Sequence, residues 1–139
     1  MLIIRLFALT ALPLLLAATC QPADRVPGLP PALKLKPLYG TWLHSQEEDR
    51  GDTLVYRPNT YNFPPSRGRT GFAIGPGGRF TQYDIAPTDG LQGQAGTWTQ
   101  RAGNRLRIQL SSENATAYEL EIVRLEGKKL YLRRLEMAK

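Results

Sequence analysis

The sequence predicts an all-β domain: an antiparallel, up-and-down meander of about eight short strands closing into a small barrel. Three observations point there. Short apolar or β-branched runs recur between turn residues from Leu38 onward, no segment carries a sustained helical period, and the clearest runs alternate apolar with polar residues. The strands expected in order are Leu38 to Ser45, Asp52 to Arg57, Thr70 to Ile74, Arg79 to Ile85, Gln94 to Gln100, Arg105 to Ser111, Thr116 to Leu125 and Lys128 to Glu136.

The first of these opens on Tyr39-Gly40-Thr41-Trp42, and the fifth carries the same local pattern as Ala95-Gly96-Thr97-Trp98. In each, glycine permits close backbone approach and tryptophan supplies a large apolar plug. The fourth follows the turn Gly75-Pro76-Gly77-Gly78. The sixth, Arg105-Leu106-Arg107-Ile108-Gln109-Leu110, puts three apolar residues on one face and three polar residues on the other. Tyr118-Glu119-Leu120-Glu121-Ile122 repeats that pattern with acids outside, and Leu130 and Leu132 repeat it in the last strand. Ala102-Gly103-Asn104, Ser112-Glu113-Asn114 and Glu126-Gly127 supply residues that accept positive φ and close hairpins. Closure would remove the exposed edges of such a sheet, an open sandwich being the other solution. Eight strands leave an interior that side chains fill or that holds one small ligand.

The chain has 139 residues, enough for one domain. It divides into an export signal over 1–19, a tether over 20–37 and the barrel over 38–139. Arg5 precedes the apolar run Leu6 to Leu16, which gives way to Ala17-Ala18-Thr19 before Cys20. That is signal-peptide order. The run is shorter than the ~20 apolar residues a spanning helix needs, and Pro13 breaks it. Gln21 to Pro37 then holds five prolines, at 22, 27, 30, 31 and 37, together with Gly28, a composition that favours extended chain.

Cys20 is the only cysteine, so no disulfide forms within the chain. Leu16-Ala17-Ala18-Thr19-Cys20 resembles the lipobox of bacterial lipoproteins, with Ala17 and Thr19 departing from its usual residues. That resemblance implies diacylglycerol on the Cys20 thiol, cleavage before it, and a chain held in the bacterial envelope. Gln21 after the cysteine implies an outer-membrane or periplasm-facing position. More than one acyl chain holds a small domain at a membrane stably where one does not.

From Leu38 to Glu136 the two Gly-Thr-Trp motifs, the Gly-Gly-Arg-Phe turn at 77 to 80 and the closing hairpin around Glu126-Gly127 resemble the lipocalin-like proteins of the bacterial envelope. Avidin-like barrels share the opening Gly-x-Trp. The resemblance implies a small lipocalin-like barrel that binds a small hydrophobic or amphipathic molecule. It further implies Trp42 and Trp98 as barrel-closing residues, with Arg133 or Arg134 packing across Trp42. A filled barrel serving as a structural, protein-interaction or inhibitor module is the alternative.

Elsewhere the sequence offers little chemistry. His44 is the only histidine, and Ser45 beside it points to the opposite face of a strand. Glu47-Glu48-Asp49 with Asp52 lacks the spaced ligands and glycine of a calcium loop. No helix follows Gly75 to Gly78 to offer its terminus to a phosphate, and Asn114-Ala115-Thr116 is expected as a turn. The net charge of +6 is spread among acids, without a dense run or a nucleic-acid motif. We therefore expect a monomer with no catalytic residue, no metal, no cofactor and no nucleic-acid partner. The long segment Arg57 to Gly71 stands out, because long irregular loops in compact domains are often functional. Tyr61, Phe63, Arg67 and Arg69 within it are candidates to meet a ligand at the barrel mouth; the arginines can instead pair with Glu47 and Glu48 and pin the loop.

Overall fold

A computed structural model describes residues 33–137. The export signal, Cys20 and most of the tether lie outside the described residues. Eight strands are formed: β1 (Gly40–His44), β2 (Leu54–Pro58), β3 (Gly71–Ile74), β4 (Arg79–Ile85), β5 (Leu91–Gln100), β6 (Arg105–Leu110), β7 (Tyr118–Glu126) and β8 (Lys129–Glu136). Every pairing is antiparallel, and the sheet closes in the order β1-β2-β8-β7-β6-β5-β4-β3. The all-β barrel anticipated from the alternation is thus formed.

From β3 to β8 each strand pairs with the next. The departure is at the start, where β3 pairs with β1 (Trp42 opposite Phe72) and β2 pairs with β8 (Leu54 opposite Leu132). Because β2 and β3 flank the same strand, they run in the same direction. The chain therefore leaves β2 at one end of the barrel and returns to the other end before β3 can begin. Residues 59–70 span that distance, which explains why this connection is long.

We call the end holding the first residue of β1 the lower end, and the end holding its last residue the upper. The alternation of β6 buries Leu106, Ile108 and Leu110, and that of β7 buries Tyr118, Leu120 and Ile122. With Trp42, Phe72, Phe80, Trp98, Leu130 and Leu132 they form one continuous core. Val55 is also fully buried but outside that core. It faces outward from β2 and is covered by the β1–β2 connection, whose Asp49 carboxylate accepts the Val55 N–H at 2.8 Å.

The lower end is shut. Leu38 is 1 % exposed at the end of a 3-10 turn (Lys36–Leu38), and its carbonyl accepts the Trp42 indole N–H at 2.8 Å. The Trp98 indole N–H donates to the Gly75 carbonyl at 2.9 Å. Leu33 and Leu35 already pack on the core, so this closure begins ahead of Leu38, in the last residues expected as tether. In β7 an extra residue, Val123, falls between the pairs Ile122–Leu132 and Arg124–Tyr131, and is left 41 % exposed.

Candidate functional site

Toward the upper end the inward-facing positions turn polar. Along β4 they run Phe80, Gln82, Asp84; along β5, from the lower end, Trp98, Gly96, Gln94. In β8 Leu130 and Leu132 give way to Arg134. The alternation is unbroken, but its apolar content stops partway up. Core and mouth are therefore successive layers of the same strands.

These polar side chains bond to one another. The Tyr118 hydroxyl donates to Gln82 Oε1 at 2.8 Å, which orients the amide so that Gln82 Nε2 faces Asp84, at 2.9 and 3.1 Å from its two oxygens. Gln94 Nε2 donates to Asp84 Oδ2 at 2.9 Å. Asp84 thus receives two neutral amides and, among the described residues, no cation. Across the mouth the Arg134 guanidinium lies 4.0 Å from the centre of the Tyr118 ring and donates from Nε to Glu136 at 2.9 Å. Burial pushes the Tyr118 phenol up to about 12 against the lowering pull of Arg134. Burial, with the Asp49 charge adding to it, holds the Tyr56 phenol at about 12 as well.

A cavity of about 160 Å³ opens between these groups. Its apolar surface comes from Leu54, Phe72, Leu120 and Leu132, and its polar walls include Tyr56, Gln82, Asp84 and Arg134. Such a volume holds a group about the size of benzene. The arrangement offers an apolar seat with an acceptor on one side and a cation on the other, which suits an amphipathic group.

The four loop candidates lie on the connection between β2 and β3. Arg69 donates to both oxygens of Glu47 at 2.8 and 3.0 Å and to the carbonyls of His44 and Pro64. Its guanidinium also covers the Phe63 ring at 4.6 Å, and Arg57 covers Tyr61 at 4.5 Å. Arg57 in turn donates twice to Glu48, which accepts Lys129 as well at 2.7 Å. The segment is a strap laced to the barrel wall by ion pairs and rings. Arg67 is exposed, with no ion pair among the described residues. The Arg57 guanidinium, aided by Lys129, holds the Glu48 carboxyl down to about 2 against the burial that would raise it.

The arginine expected across Trp42 is placed elsewhere. Arg134 faces inward at the mouth and stacks on Tyr118, while Arg133 faces outward toward Asp52 (3.1 Å) and Glu121 (3.6 Å). The Trp42 indole points to the lower end, toward Leu38, so neither can reach it. Trp42 and Trp98 sit with the core at that lower end. His44 Nε2 lies 2.9 Å from Asp49, and its ring stacks on Tyr56 with 5.0 Å between centroids. Among the described residues, no group of three or more His, Cys, Asp or Glu side chains is placed to hold a metal ion.

The residues that build the mouth, Gln82, Asp84, Gln94 and Tyr118, were not singled out in the sequence. The available signal was their parity: each falls an even number of residues from a buried apolar position on its own strand. Compared with known proteins, the chain matches no protein-family model, no curated protein and no solved structure.

Proposed function

We propose that this is a non-enzymatic envelope lipoprotein, held through Cys20, whose filled lipocalin-like barrel is an interaction module that receives a small amphipathic group at its mouth. That group is a side chain presented by a partner or a ligand of similar size. The observation that carries this reading is the filling of the barrel. Trp42, Phe72, Phe80 and Trp98 occupy the interior with the aliphatic residues of β6, β7 and β8, leaving about 160 Å³ at the mouth. Pockets for drug-sized ligands begin at about 300 Å³ and are mostly apolar, so a deep calyx for a long hydrophobic molecule is the less favoured alternative.

Native mass spectrometry of the Cys20→Ala chain, which carries no covalent lipid, incubated in an extract of its own host tests the barrel. A bare mass, or an adduct no larger than a few small substituents, is expected; a retained lipid-sized molecule would contradict it. Metabolic labelling with a palmitate analogue tests the anchor. Wild type should be marked and Cys20→Ala should not, and equal labelling of both would sink the anchoring.

A further inference from the structure

We propose that the lower end of the barrel is a docking face for an anionic phospholipid membrane, so that the mouth points away from the bilayer. Charge is divided between the two ends. Lys34, Lys36, Arg79, Arg101 and Lys128 are exposed on the segments and turns of the lower end, and none makes an ion pair among the described residues. The one acid at the turns of that end is Glu126, 3.6 Å from Arg124. The upper turns carry Glu47, Asp49, Asp52, Asp89 and Glu113 against two exposed cations without an ion pair among the described residues, Arg50 and Arg67.

The lower end also has an apolar component. A groove of about 390 Å³ runs between the segment Leu33 to Leu38 and β7, lined by Leu33, Pro37, Val123 and Leu125 with Lys34 and Arg124 at its rim. Apolar side chains ringed by cations match a bilayer surface, where acyl chains meet phosphate headgroups. A nucleic-acid face would need aromatic rings free to stack bases; the exposed ring at the turns of this end, Tyr61, already carries the Arg57 guanidinium over one face at 4.5 Å and Phe63 against it at 5.0 Å. Leu33, in the last residues of the tether segment, lines the groove, so the tether meets the barrel at this end. A tether to the membrane therefore delivers this face and not the mouth. The charge division stands without the lipoprotein reading; the choice of a membrane as partner rests on it.

The test uses the full chain with Cys20→Ser, so that the fluorophore meets a single thiol. A fluorophore is attached at Ala102→Cys in a lower turn or at Thr88→Cys in an upper turn. Vesicles of phosphatidylcholine alone, or mixed with phosphatidylglycerol, carry a spin-labelled lipid as quencher. Quenching at 102 on the anionic vesicles is expected, weaker on the neutral ones, with none at 88, and combining Lys34→Glu with Arg101→Glu should abolish it. Equal signals from both positions, or equal signals on both vesicles, would overturn the docking face. Failure to sediment with the anionic vesicles would overturn the docking face, while the Cys20 anchor, which this variant lacks, is decided by the palmitate-analogue labelling. A response at 102 to a single-stranded oligonucleotide and none to anionic vesicles would overturn it in favour of a nucleic-acid face.

Discussion

Glu48 and Tyr118 show how single side chains set the chemistry of this barrel. Glu48 accepts from Arg57 and Lys129 on the outer wall, and its folded pKa of about 2 lies below the ordinary 4.5. A depressed carboxylate pKa stabilises the fold above the unfolded value, and that contribution is lost as pH falls through the folded one. Between pH 5 and 2, wild type should therefore lose about 1 to 2 kcal/mol that Glu48→Gln does not, the full shift being discounted because all three side chains are partly solvated. Urea unfolding of both proteins across that range measures the difference. At the mouth, Tyr118→Phe removes a hydrogen bond to Gln82 and leaves its amide oxygen without that donor, a loss of about 1 kcal/mol. It should also remove one of the two phenols that ionise only near 12, read by ultraviolet titration; an unchanged late-ionising fraction would place Tyr118 in water.

Among the elements, β5 and the strap carry the most testable consequences. A Cβ at Gly96 would stand 2.6 Å from the Gln109 carbonyl oxygen and 3.0 Å from Leu110 Cα, both backbone atoms that cannot swing away. Gly96→Ala should therefore destabilise the barrel by about 2 kcal/mol through overpacking, seen as a lowered thermal midpoint. Arg69→Ala frees the strap from Glu47, from two carbonyls and from the Phe63 ring. About 1 to 2 kcal/mol of stability should be lost with these charge-assisted bonds, and proteolysis between Asn59 and Thr70 should accelerate. Strand positions were legible because alternation is local: β4, β6 and β8 lie where their apolar parity puts them. The exchange of β2 and β3 around β1 was not, because the contact of Trp42 with Phe72 depends on chain closure, and only the length of the 57 to 71 segment hinted at it. The pinning of that segment by arginines was among the sequence's own alternatives. The mouth escaped because Gln82, Asp84 and Gln94 have the composition of an outer face, although their parity with the buried Phe80 and Trp98 puts them on the inner one.

At the scale of the whole molecule, the barrel is layered along its axis: cations and a shut floor below, an aromatic and aliphatic core, and a polar mouth above. The same eight strands build all three layers, so changing the chemistry of one end leaves the pairing intact. The filled core is the central claim, because it decides whether the chain holds a ligand inside or meets one at its rim. Trp42 and Trp98 report on it directly, being part of that core and the only tryptophans in the chain. Titration with a brominated long-chain fatty acid should leave their fluorescence without saturable quenching. Saturable one-to-one quenching of tryptophan emission would mean that the apolar chain enters the barrel, and would contradict a filled interior.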